Sequence, residues 1–321
     1  MSVQHRRRIY IIIVVFIIAL LIAIFLFAIQ HNDVQSGKSG GIFHQDNNVT
    51  VADHHSDTAA KVFQVGADPV LLINGRNSNV DVHSGDTGSI TVQVHAHNSS
   101  ALLNSSNASI RYAQVQNKQG HDQVSIATDP GYQDIDYSIA APATTNVQIV
   151  VDGGNIAVSG VGALKVDAGS GSLNIDAVKG PVNVSTDSGD INVRDTQGAT
   201  TITGQSGSVH LTNVTGQVVV TTLSGDVTAQ NAQLNGHSAL QTTNGSVRFN
   251  GVLDPHGAYK MVTTSGDITL QLPANAAFHL NTSTNSGNVN NQFPGERAGG
   301  SLRPPLEATV GNGSISIEKM P

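Results

Sequence analysis

Hydrophobic and polar positions follow four successive regimes along the chain. Residues 9–29 form an uncharged run of 21 residues, almost all Ile, Val, Leu, Phe and Ala. As a helix rising about 1.5 Å per residue it spans about 30 Å, the thickness of a bilayer's hydrocarbon core. Residues 30–60 are polar, contain Gly and show no sustained period, which predicts a flexible tether. Residues 61–140 contain the alternating segments VFQV, NVDV, ITVQVHAH, IRYAQVQ, QVSIAT and IDYSIAA, which predict strands forming the first rungs and an N-terminal cap. Residues 141–321 repeat a short phrase instead.

The phrase is Gly, then Asp, Asn or Ser, then an aliphatic residue, any residue, and usually a second apolar one. It starts at Gly154, Gly171, Gly189, Gly207, Gly225, Gly245, Gly266, Gly287 and Gly313, in steps of 17, 18, 18, 18, 20, 21, 21 and 26 residues. Nine residues before each lies a second start, at Thr145, Gly162, Gly180, Gly198, Gly216, Gly236, Gly257, Phe278 and Pro304. Apolar residues fall two and four positions after both kinds of start, as in Val147 and Ile149, Val182 and Val184, Ile191 and Val193, or Val209 and Leu211. Weaker members of the same columns are Thr200, Ser238, Thr282 and Ala308. A spacing of two puts each pair on one face of a strand. One such unit cannot bury its own apolar face, so the units stack at about 4.8 Å.

The predicted fold is therefore all-β: a parallel β-solenoid, β-helix-like and right-handed by the general rule for parallel crossovers, behind one N-terminal transmembrane helix. Nine rungs at that spacing of about 4.8 Å make a rod about 40 Å long. The half-repeat from the first start to the second is constant, while the return half lengthens to 11, 12, 12 and 17 residues. These insertions predict a loop-lined corner, the place where a binding surface is most easily built. Pro304, Pro305, Glu318 and Lys319 are expected to blunt the C-terminal end.

Charge supplies the topology. Arg6, Arg7 and Arg8 precede the apolar run and Gln30, His31, Asn32 and Asp33 follow it, which keeps residues 1–8 inside as a cytoplasmic stub and sends the rest outside. Ala28-Ile29-Gln30 is a poor cleavage site, so the segment reads as an uncleaved signal anchor in the plasma membrane. The formal net charge of −7 argues against a nucleic-acid partner. With no Cys in the chain, a disulfide framework, a thiolate metal site and a Cys nucleophile are excluded.

No residue pattern points to a cofactor, a metal or a catalytic centre. Asp53, His54, His55 and Asp57 have metal-ligating chemistry but sit in the tether, without a second shell to orient them. A calcium corkscrew needs GGxGxD, which GGNIAV and the SGDINV-type phrases do not supply. Outward strand positions carry Asn174, Asn192, His210, Thr228, Arg248, Thr269 and Asn290, a polar face without the acid pair of a glycosidase. Ser224 and Ser265 repeat a turn residue and do not stand out as nucleophiles. The residues singled out are structural: a turn ladder of Gly171, Ser172, Gly189, Asp190, Gly207, Ser208, Gly225, Asp226, Gly245, Ser246, Gly266 and Asp267, in which Ser and Asp alternate. Alternation keeps stacked carboxylates two coils apart, and Ser hydroxyls are expected to donate to the flanking carboxylates.

An anchor, a polar tether, a strand-rich opening and an AAPATTNVQIVVDGGNIAVSG passage feeding tandem SGDI and SGSV phrases resemble the bacterial putative-adhesin domain family of unknown function, in particular anchored members associated with cell-envelope stress operons. The resemblance covers residues 61–317 and departs from the pattern at Phe278 and Pro304. It implies a β-solenoid fold and an adhesin-type role, and carries over no catalytic residue. Three functions follow as expectations: a membrane-anchored adhesin or cell-envelope binding or structural module contacting envelope polysaccharide, another cell or a membrane partner, a regulatory ectodomain of an envelope-stress system with a membrane-protein partner, and a carbohydrate-active enzyme, of which the non-enzymatic first leads.

Overall fold

A computed structural model describes residues 60–96, 110–116, 120–128 and 135–320, all within the second of two compact units, Asn48–Pro321. The apolar run 9–29, the tether up to residue 59 and its Asp53 to Asp57 cluster lie outside the described residues. Among the described residues all regular structure is β, and no helix is long and apolar enough to cross a membrane.

Each repeat contributes one strand to each of two sheets. The first half-repeats, such as Asn146–Gly153, Ala163–Ser170 and Val182–Ser188, stack in parallel in one sheet. The second halves, such as Ile156–Ser159, Leu173–Asp176 and Ile191–Arg194, stack in the other. Each coil thus has two faces, with its apolar columns pointing between the sheets. Val147, Leu164, Val182, Thr200 and Val218 pair in one unbroken register, as do Ile156, Leu173, Ile191, Val209 and Val227. The strand Asn146–Gly153 alternates exposed and buried along its whole length. The weak column members hold their places: Thr200 and Ser238 are buried, and Thr282 pairs with Ala308.

Stacking order departs from sequence order at both ends. The strand Pro305–Asn312 lies between Ala258–Ser265 and Phe278–Ser286, and Ile315–Lys319 lies between Ile268–Leu272 and Val289–Asn291. The last repeat is therefore the penultimate coil, inserted between the seventh and the eighth. This corrects the expectation that Pro304, Pro305, Glu318 and Lys319 cap the stack. Pro305 is tolerated there because it opens its strand, where a missing N–H costs no interior ladder bond. The long 292–304 return exists because the chain must climb back past a coil already laid down. Its Phe293 plugs the core end, edge-on to Phe278 at 5.0 Å.

The other end mirrors this order. Val70–Asn74 pairs with both Asn146–Gly153 and Asp122–Thr128, while Val80–Ser84 pairs with both Ile156–Ser159 and Ile135–Ala141. Residues 70–84 thus form a coil clamped between the strands Asp122–Thr128 and Ile135–Ala141 on one side and the first regular repeat on the other. Antiparallel strands Ile110–Gln116, Ser89–Ala96 and Lys61–Gln64 close this end. There the Lys61 ammonium sits 4.6 Å from the centroid of the Tyr112 ring, and burial lowers its pKa. Two coils before the nine repeats bring the described stack to eleven, about 50 Å at about 4.8 Å each.

The lengthened returns do not all become loops. Val227–Leu234 and Val247–Leu253 carry their extra residues past a bulge between Ala229 and Ala232 and keep pairing, Ala232 with Gly251 and Leu234 with Leu253. The corner expected to be loop-lined is extended sheet at these coils, because the inserted residues alternate and bury Ala232 and Leu234.

The register makes a direct test. Ile191, 1% exposed, points between the sheets, and Asn192 points outward. Ile191→Asp is expected to cost several kcal/mol by burying an unpaired carboxylate, whereas Asn192→Ser stays within about 0.5 kcal/mol. Chemical denaturation measures both, and equal losses would contradict this register.

Candidate functional site: the turn ladder and a polar groove

The turn glycines hold a backbone that other residues adopt at a cost. Gly171, Gly189, Gly207, Gly225, Gly245 and Gly266 have φ between +118° and +152°. At Gly207 a Cβ would also lie 2.2 Å from the carbonyl oxygen of Gly189 in the neighbouring coil. Positive φ and stacking contact independently exclude a side chain.

The residue after each glycine bonds to the next coil. Asp190 Oδ1 accepts the Ser208 N–H at 2.8 Å, Asp226 Oδ1 the Ser246 N–H at 2.8 Å, and Asp267 Oδ1 the Ser314 N–H at 2.7 Å. The donor is the serine backbone, not the hydroxyl expected from the sequence. The ladder begins earlier, where Asp136 accepts from Asn79, Asn79 from the Asn155 N–H and Asn155 from the Ser172 N–H. Because the last repeat is inserted, Ser314 follows Asp267 and continues the alternation, and the Asn288 N–H donates to Ser314 Oγ at 3.3 Å. Ser246 likewise accepts the Asp267 N–H through its hydroxyl.

Two further ladders escape the sequence reading. Thr186, Thr222, Thr242, Thr263 and Thr284, each three residues before a turn glycine, point inward and donate their hydroxyls to turn carbonyls at 2.7–3.2 Å. Their constant offset from the glycine was the available signal. At the opposite corner Ala177, Asp195, Asn213 and Asn231 adopt φ of 52° to 55°. Asn213 donates to Asp195 Oδ1 at 2.7 Å and Asn231 to Asn213 Oδ1 at 3.0 Å, which suits Asp and Asn to this left-handed backbone.

Electrostatics concentrate at Asp226. The Ser246 N–H, then Arg248 at 3.1 Å, hold its carboxyl below the ordinary carboxylate range against some opposing desolvation. Asp190 and Asp267 lie two coils away on either side, about 10 Å at this spacing.

The outer surface of the short-strand sheet is indented near the N-terminal end. The outward column runs Asp81, Ala157, Asn174, Asn192, His210, and the small Ala157 lowers its floor. A depression of about 300 Å³ is lined there by Asn79, Asp81, His95, Asp136, Asn155 and Asn174. It adjoins a second of about 230 Å³ with Asp176, Asn192 and Arg194. The amides of Asn79, Asn155, Asn174 and Asn192 and the carboxylates of Asp81, Asp136 and Asp176 stand in this groove among apolar Val80, Ile156 and Ala157, and Asn192 already donates to Asn174 Oδ1 at 3.2 Å. The Asp136 carboxylate is engaged by the Asn79 N–H and side-chain amide, so it serves as a turn cap. Among the described residues no cluster of three or more His, Asp or Glu could hold a metal ion.

These features define a two-faced parallel β-solenoid with Asx-capped turns and an outer groove. Residues 70–252 match the family described as Toastrack DUF4097, and since this is more than half of the 321 residues, the chain belongs to that family. Similar solved structures include a putative cell adhesion protein from Clostridium sporogenes ATCC 15579, at 9% identity, covering 82% of this chain and 99% of that one with a TM-score of 0.23. A putative adhesin from Bacteroides fragilis NCTC 9343 aligns at 12% identity over 83% of this chain and 99% of its own, with a TM-score of 0.39. A putative adhesin from Parabacteroides merdae ATCC 43184 aligns at 10% identity over 81% and 95%, with a TM-score of 0.34. No curated protein matches the sequence.

Ser208→Asp would stack carboxylates at 190, 208 and 226. Melting temperature is expected to fall at neutral pH, to recover near pH 3 as the carboxylates are protonated, and to fall less in high salt. A loss independent of both would contradict the charge argument. Asp226 has its own signature: with a depressed folded pKa, its stabilisation is complete above the unfolded value of about 4 and is lost as pH falls through the folded one. Asp226→Asn should therefore narrow the gap between melts at pH 7 and pH 3.

Proposed function

We propose that this chain is a non-enzymatic, membrane-anchored extracytoplasmic module of adhesin type, which uses the groove around Ala157 to bind envelope polysaccharide. The groove supports the reading: its polar edges, Asp81, Asp176, Asn174 and Asn192, flank apolar Val80, Ile156 and Ala157, a mix that can meet both the hydroxyls and the C–H face of a sugar, on a sheet that orders no loop on binding. Its length across successive coils suits a polymer better than a small ligand. The apolar run 9–29 behind Arg6, Arg7 and Arg8 supports an N-in anchor with residues 61–321 outside. Family membership is consistent with the role and identifies no ligand.

Ala157→Leu raises the groove floor without disturbing a buried column. Retention on immobilised cell-wall and capsular polysaccharides should drop about tenfold while melting is unchanged, and retention equal to the parent chain would overturn the groove assignment. Protease added to intact cells should release a fragment beginning within residues 30–60, and full protection of 61–321 in permeable-walled cells would overturn the topology.

A further inference from the structure

The two ends of the stack are finished differently. The N-terminal end carries antiparallel strands with Lys61 and Arg111 on them, the usual means of blunting a sheet edge. At the other end Arg297 and Ala298 pair only with Phe278 and His279, and the Glu296 carbonyl takes the Leu280 N–H. Beyond that point, among the described residues, no strand pairs with the outer side of 281–286 or of Val289–Asn291. Residues 280–293, LNTSTNSGNVNNQF, contain no Asp, Glu, Lys, Arg or Pro, so this edge lacks the charged and proline safeguards against pairing. Val289 adds an independent sign. It belongs to the inward column in which Ile156, Leu173, Ile191, Val209, Val227, Val247, Ile268 and Ile315 are at most 1% exposed, yet it is 45% exposed because nothing lies beneath it.

We infer that this end is a self-association surface, and that its occupant is the same end of a second copy of this chain. Two open edges, one per sheet, flank a single core end. A lone partner strand can pair with one of them. A copy related by a two-fold axis perpendicular to both sheets pairs with both, antiparallel in each case. Corner geometry allows it: Thr284 and Asn290 each stand three residues from the turn Gly287, so an axis through the middle of 281–286 also passes near Asn290. That centring leaves Phe278 and His279 to their existing partners. Across a two-fold axis each residue near its centre meets its own copy, so charge there would be self-repelling, and 280–293 carries none. Val289 is then covered by the partner's end strand, restoring to its column the burial it has elsewhere.

The absence of cysteine makes the test clean. The full chain in mild detergent should have the mass of two copies by light scattering. Asn290→Lys, which places two ammonium groups face to face, should raise the dissociation constant about tenfold, with partial recovery in salt. Asn290→Cys should form a disulfide-linked dimer on mild oxidation, since directly paired strand residues have Cα atoms about 4.5–5.5 Å apart. Asn174→Cys, in the same outward column near the other end, should form no disulfide-linked dimer under the same oxidation. Dimers unaffected by Asn290→Lys, a single-chain mass throughout, or equal crosslinking at the two cysteines would each overturn the inference.

Discussion

The contact on which everything else rests is the approach of each turn glycine to the carbonyl oxygen of the glycine in the adjacent coil. A Cβ at Gly171, Gly189 or Gly266 would stand 2.0–2.1 Å from that oxygen, so the sheets can reach their stacking distance only where the corner has no side chain. Once this point is fixed, the strands leaving it in both directions are in register. The inward columns then close over one another, and residues as different as Val218 and Ser238 can occupy equivalent positions. Hydrophobic burial supplies the stabilisation, and the glycine contact sets the distance at which burial occurs.

Sharp corners expose backbone groups that regular sheet would satisfy, and the protein answers with short polar side chains. Asp, Asn and Ser after the glycine reach along the stack to N–H groups of the next coil. Inward threonines reach carbonyls from inside the turn. The ladders run perpendicular to the chain, so each coil caps its neighbour. Outward strand positions take no part in this scheme. They are free to vary, and the groove at Ala157 shows how one small outward residue reshapes the face without cost to the core.

Much of this was legible in the sequence. The apolar columns, the glycine positions and the outward placement of Asn174, Asn192 and His210 follow from spacing alone, because a two-residue period and an 18-residue return leave one parallel arrangement. Stacking order was not legible. Every repeat presents the same columns, so the pattern that says Ile315 lies in a coil does not say which coil lies beneath it. The 26-residue step before Gly313 was a trace of the detour, and the Asp-Ser alternation continues only if Ser314 follows Asp267. Lengthened returns misled for a related reason: extra residues at a corner read as loop until Ala232 and Leu234 are seen to be buried. The groove depends on the height of one side chain relative to its spatial neighbours across coils, which a linear period does not convey.

The inserted coils at both ends also govern how the molecule bears mechanical load. A pull on the chain at residue 60 opens the edge strand Lys61–Gln64 from its single neighbour one bond after another, at low force. The next segment, 70–84, has a parallel partner on each side in each sheet and can leave only by shearing ladders on both sides together. Peeling from the pulled end therefore halts after one strand. At the far end the final strand Ile315–Lys319 is likewise gripped from both sides, so neither terminus offers a free outer coil from which the spring can unwind.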